Sequence, residues 1–123
     1  MTPLEMLKEF HTTFDAVRND TPTLLDNQTN VLRQALLDEE VSELEEAVAA
    51  GDIVEIADAL GDIVYIAYGT AVAHGIDLDA VLEEIHRSNM AKLVDGKVLR
   101  RDDGKVLKPE GWQPPNIARI IEK

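Results

Sequence analysis

Apolar residues recur at three- and four-residue spacing over most of the first ninety positions, which predicts amphipathic helices rather than strands. Thr2-Pro3-Leu4-Glu5 has the form of a helix start: a capping hydroxyl, a proline at the first helical position and a glutamate that closes a capping box. The first helix is predicted to run to about Arg18, where Asn19-Asp20-Thr21-Pro22-Thr23 breaks the pattern. A long second helix follows from about Leu25 to Ala49, apolar at Val31, Ala35, Leu36, Val41, Leu44 and Val48. Gly51 stops it and Asp52 caps a third, from about Ile53 to Ala73. After His74-Gly75, Asp77 caps a fourth helix from about Leu78 to Lys92. Beyond it the period is lost. Asp95-Gly96-Lys97-Val98-Leu99 is echoed by Asp103-Gly104-Lys105-Val106-Leu107, which reads as loop or weak hairpin, and Asn116 to Glu122 predicts a last short helix. The expected architecture is all-α: residues 1–92 as a four-helix-bundle-type helical domain, and residues 93–123 as an irregular basic tail of the same domain.

The third helix departs from the pattern of the others. It is apolar nearly all round, as buried helices are, and its only acids are Glu55, Asp58 and Asp62. At about 100° per residue, Asp58 lies about 40° and Glu55 about 20° from Asp62 in projection, so the three form one stripe. The helix carries no lysine or arginine to pair with them. Carboxylates on a buried helix are costly unless cations compensate them. On the second helix, Glu39, Glu40 and Glu43 fall within one turn. Hard oxygen ligands of this kind suit magnesium, manganese or calcium, so Glu39, Glu40, Glu43, Asp58 and Asp62 are the candidate metal ligands. Glu55 has a second reading, as the capping-box partner of Asp52.

Charge sharpens this picture. The chain of 123 residues carries a formal charge of −12, which argues against nucleic-acid binding, because phosphate backbones need a basic surface. From Lys92 onward eight basic residues face five acids, leaving −15 on the preceding body. An acidic body with a basic tail suits a site where metal neutralises the body and the tail grips phosphate. With no cysteine there is neither a disulfide framework nor a zinc–thiolate site. No secretory leader or long apolar span stands out, so cytoplasm, with no membrane partner, is the expected setting.

These residues resemble the all-α NTP pyrophosphohydrolase superfamily, the MazG-like and phosphoribosyl-ATP pyrophosphohydrolase-like proteins, whose signature is EExxE on one helix and ExxD on the next. Glu39-Glu40-Val41-Ser42-Glu43 matches the first part, and Ala59-Leu60-Gly61-Asp62 aligns with the second. Ala59 stands at the family glutamate, and Asp58 or Glu55 is the expected replacement. Glu9-Phe10-His11, the run from His86 to Lys92 and the run from Asp103 to Trp112 are similar to the MazG-like dUTP/dNTP pyrophosphatases. The resemblance implies a homodimer or homotetramer that cleaves a (d)NTP to its monophosphate and pyrophosphate with Mg2+, Mn2+ able to substitute. Glu40 is then the candidate proton acceptor. Asn89, Lys92, Lys105 and Lys108 are candidates for phosphate binding, and Phe14 and His11, beside Phe10, for the base pocket. For His11 and Phe14 a core role is the commoner explanation, and for Trp112 that of anchoring the tail. The rival reading is a non-catalytic helical protein that binds a nucleotide or regulates as an oligomer.

Overall fold

The computed structural model describes residues 1–122 and is helical, in the order α1 (Pro3–Thr13), α2 (Asn27–Ala50), α3 (Ile53–His74), α4 (Leu78–Met90) and α5 (Ile117–Ile121). The expected all-α class holds. Among the described residues the irregular tail contributes only two isolated antiparallel bridges, Val94 with Lys97 and Arg100 with Val106. Lys123, the last residue of the expected tail, lies outside the described residues.

Local chemistry sets the helix ends. The Thr2–Glu5 capping box forms as the sequence predicts, and Asp26 and Asp52 cap α2 and α3 by accepting from backbone N–H groups of the first turn. Gly51 and Gly75 close α2 and α3 in the left-handed conformation. The α1 helix stops at Thr13, short of the predicted Arg18. Asp15 takes a positive φ of 54° and the Ala16 N–H returns to the His11 carbonyl, so the chain turns before the arginine.

The chain divides into two compact units, Met1–Leu78 and the residues from Asp79 on. In the first, α3 packs against both α1 and α2. Leu4 and Leu7 of α1 and Tyr68 and Val72 of α3 form the apolar core, with Leu78 against it. The loop after α1 is stitched to the end of α3: Asn19 N–H donates to the Val72 carbonyl, Asn19 Nδ2 to that of Ala73, and Thr23 N–H to that of His74. These bonds satisfy carbonyls that a helix end leaves open.

One expectation about α3 is overturned. Only part of it is buried: Ile53 and Val54 are 74% and 71% exposed, and Leu60 and Val64 are about half exposed. Two neighbouring helices cover two sides of a helix that is apolar on all of them. By length and hydropathy α3 also qualifies as a membrane span, but it carries an acid stripe and packs against α1 and α2.

In the second unit α4 and the tail hold together, whereas the sequence suggested a boundary at residue 92. Glu84, buried to 4% exposure, accepts from Arg87 Nε and Nη2 at 2.8 and 2.7 Å and from the Asn116 N–H at 2.7 Å, with Arg119 at 3.6 Å. The Arg87 hydrogen bonds, and then the Asn116 N–H, hold its carboxyl at a pKa of about 2. Trp112 Nε1 donates to the Ser88 carbonyl at 2.6 Å, so the tryptophan anchors the tail to α4.

Candidate metal centre

The site is built on the seam between α2 and α3. Glu40 faces α3, and Glu43 follows one turn later. Asp62 of α3 meets them, and one carboxylate oxygen from each of Glu40, Glu43 and Asp62 lies within 4.8 Å of the others. Glu40 is the innermost: its Oε2 is shut off from solvent and, among the described residues, no donor group reaches it. A buried carboxylate oxygen without a donor is a costly arrangement in a folded chain. A cation removes that cost, and the all-oxygen donor set fits a hard divalent ion. Desolvation, then hydrogen bonding and repulsion from Glu43, then the charge of Asp62, raise the Glu40 pKa from 4.5 to about 7.

The other predicted ligands sit differently. Asp58 is exposed and lies outside the triad, so the reasoning that charge buried on α3 demands compensation does not apply to it. It lines a groove of about 500 Å3 with Glu43, Glu46, Asp52 and Glu55. Glu43 is thus common to the triad and to this acid-lined groove. Glu55 joins the groove one turn from Asp58, while Asp52 receives the Val54 and Glu55 N–H groups. Glu39 is exposed and outside the triad.

Of the substrate-side candidates, Phe14 is 68% exposed and packs on Phe10, with ring centroids 4.6 Å apart. Phe10 in turn meets the edge of Tyr65, and the three rings line a pocket of about 300 Å3 with Met1, Met6 and Glu9. His11 is not on that surface. It is 2% exposed, and its Nδ1–H donates to the Val17 carbonyl at 2.7 Å. Burial lowers its pKa, so the ring is held neutral inside the fold and fixes the turn after α1. In the second unit Lys92 and Lys108 place their ammonium groups 5.3 and 5.1 Å from the Trp112 ring centre. Lys105 and Asn89 are exposed.

Sequence reasoning passed over Arg33. It is the only basic residue of α2 and stands seven positions before Glu40, on the same helix face. That isolation within an acidic helix was the available signal.

The titration of Glu40 gives a prediction for the metal-free protein. The folded state holds this proton more tightly than an unfolded chain does, so the contribution of Glu40 to stability is fully present below pH 4.5 and is lost as pH rises through about 7. In thermal melts in chelator, the change in Tm from pH 6 to pH 8 is expected to be more negative in the wild type than in Glu40→Gln, because the buried neutral His11 acts in the opposite direction in both. Magnesium should raise the pH 8 value most. A chelated wild type and Glu40→Gln with the same pH slope would contradict this account.

Comparison with known proteins fits the geometry. A stretch of 67 residues is 45% identical to an uncharacterized protein of Acanthamoeba polyphaga mimivirus, covering 53% of this chain and 27% of the viral protein. The chain therefore spans about a quarter of that relative. Residues 7–89, well over half of the chain, match the phosphoribosyl-ATP pyrophosphohydrolase family, and the match takes in α2, α3 and every carboxylate of the triad. The chain belongs to the phosphoribosyl-ATP pyrophosphohydrolase family, within the all-α NTP pyrophosphohydrolase superfamily of MazG-like proteins.

Proposed function

We propose that this protein is a magnesium-dependent nucleoside triphosphate pyrophosphohydrolase, cleaving a (d)NTP between its α and β phosphates to release the monophosphate and pyrophosphate. The observation that carries the reading is the buried, unpartnered Glu40 oxygen facing Glu43 and Asp62. Glu40, Glu43 and Asp62 would hold the metal, and Asp58 and Glu39 extend the acidic field to a further cation. Magnesium, with manganese able to substitute, supplies neutralising charge for the triphosphate and a lowered pKa for the attacking water. Glu40, the innermost carboxylate, accepts that water's proton. The aromatic pocket of Phe10, Phe14 and Tyr65 is the surface offered to a base. Lys92, Lys105 and Lys108, with Asn89, are the phosphate-binding candidates that the family resemblance offers on the second unit.

The same reading includes a homodimer or homotetramer in the cytoplasm. Leu60, Val64, Ile53 and Val54 on α3 and Val31, Leu32, Val41 and Val48 on α2 are exposed apolar residues of a kind that monomers seldom gather on adjoining helices. Leu60 and Val64 also line an apolar groove of about 410 Å3 against Met6 and Tyr65. Sedimentation of a Leu60→Glu, Val64→Glu double variant is expected to show the monomer where the wild type shows a larger species. A monomeric wild type would remove the oligomer from the proposal.

The activity itself is tested by measuring pyrophosphate release from a panel of dNTPs, NTPs and phosphoribosyl-ATP, with magnesium and with chelator. All of these substrates present the same α–β anhydride bond. Magnesium-dependent release from one class is expected and names the base. Silence across the panel, with nucleotide still bound, would favour the non-catalytic regulator.

A further inference from the structure

From the groove around Arg33 we infer that the protein has a phosphoryl-binding subsite in which this arginine is the charged contact and Asn30, Gln34, Thr70 and His74 form the polar wall. The groove measures about 340 Å3 and is completed by Leu37. No carboxylate lines it, although the body around it carries most of the chain's 24 acids. Among the described residues Arg33 makes no ion pair.

Its geometry is fixed. Nε donates to Thr70 Oγ1 at 3.0 Å and Nη2 to the Ile66 carbonyl at 2.7 Å. A guanidinium has five N–H donors, so three remain for a ligand. Gly69 makes the position possible, because a Cβ there would collide with Arg33 Nη2 and crowd His11 Nε2. His74 Nδ1–H is committed to the Thr70 carbonyl at 2.8 Å, which leaves Nε2 for the groove. Gln34 is tied to Asp38 at the rim through Nε2, at 2.9 Å. A half-buried guanidinium without a counter-ion, immobilised by two bonds to a neighbouring helix, is organised for an anion.

Placement gives the anion its class. Arg33 is two turns from Glu40 on α2, roughly 10 Å along the axis, and Ile66 is one turn from Asp62 on α3, about 6 Å. The guanidinium and the carboxylate triad therefore share one seam, at a separation comparable with the length of a triphosphate chain. A phosphoryl group satisfies both conditions, either as the terminal phosphate of a bound nucleotide or as free pyrophosphate. The first source rests on the hydrolase reading, whereas anion binding does not.

The test uses inorganic pyrophosphate as the probe, titrated calorimetrically into the wild type and into Arg33→Met, which keeps the packing of the stem, and Arg33→Lys, which keeps the charge. Affinity is expected to fall about 10- to 100-fold in Arg33→Met, the worth of charge-assisted hydrogen bonds, and less in Arg33→Lys. Manganese affinity should be unchanged in both. Should Arg33→Met fail to fold, Arg33→Lys and His74→Ala carry the comparison, each with a smaller expected loss of pyrophosphate affinity. Steady-state kinetics then separate the sources. A KM that rises for triphosphates but not for diphosphates assigns the terminal phosphate, and unchanged KM values with weakened pyrophosphate binding assign the free anion. A Glu40→Gln protein that loses turnover yet still binds pyrophosphate through Arg33 separates this subsite from the metal centre. Folded Arg33 variants that bind pyrophosphate within twofold of wild type would overturn the inference and leave Arg33 as a tie between α2 and α3.

Discussion

Asp62→Ala is expected to lower magnesium-dependent pyrophosphate release by at least about 10²- to 10³-fold, the order of loss seen when one preorganised electrostatic contact is removed from a site. The size of the effect follows from position. Asp62 is the only α3 carboxylate in the triad, so without it Glu40 and Glu43 have no triad partner from α3. Two ligands from a single helix turn cannot enclose an ion, and affinity should fall along with turnover. Asp58→Ala is the informative comparison. Asp58 lies in the groove beyond Glu43 and is exposed, so its loss should cost less and should be recovered at high magnesium. Release measured across a magnesium titration distinguishes the two variants. Equal losses that magnesium does not rescue would mean that Asp58 belongs to the same centre as Asp62.

Gly75→Val is expected to destabilise the fold by about 3 kcal/mol or more, combining left-handed backbone strain with overpacking. That corresponds to a fall in Tm of roughly 10 °C. Gly75 has φ of 74° and lies against the backbone of Thr21 and Asn19, neither of which can swing away as a side chain would. The same loop segment is bonded to the last turn of α3, so any retreat of Thr21 also breaks the bonds from Asn19 and Thr23. Gly51→Val is the control. Gly51 has a similar φ of 66° and nothing within 4 Å of its added Cβ, so it reports the strain alone. Thermal melts of both variants test the account, and equal Tm losses would show that the loop contact adds nothing.

Both predictions concern features that the sequence marked and the structure completed. Gly51 and Gly75 were legible as helix stops because a residue that ends a helix in the left-handed region has few alternatives. Only the fold shows that one of them faces solvent and the other faces backbone. Helix ends were read well where a cap dictates them, as at Thr2 and Asp52. The end of α1 was misplaced because the turn through Asp15 is held by the side-chain bond from the buried His11 to the Val17 carbonyl, which helical periodicity does not reveal.

The carboxylates divide the same way. Spacing alone put Glu40 next to Glu43 and made Asp62 part of a stripe, since three- and four-residue intervals share a helix face. Which acids of one helix meet which acids of the other is a matter of register between α2 and α3. Register chose Glu40, Glu43 and Asp62 for the triad, sent Asp58 and Glu55 to the adjoining groove and left Glu39 outside. Hydropathy correctly marked α3 as a helix that wants cover on all sides, but it cannot say what supplies the cover. Within this chain α1 and α2 supply only part of it. Arg33 shows the limit most clearly: a lone cation on an acidic helix carries little meaning in one dimension, and its role depends on Gly69, Thr70 and Ile66, more than thirty residues away. The sequence by itself determined the helices, their caps and the kind of chemistry the acids suit, because these depend on neighbours along the chain. The tertiary structure alone decided which charges converge and which are left unpaired, because a few ångströms of helix register separate a cation site from a solvated surface.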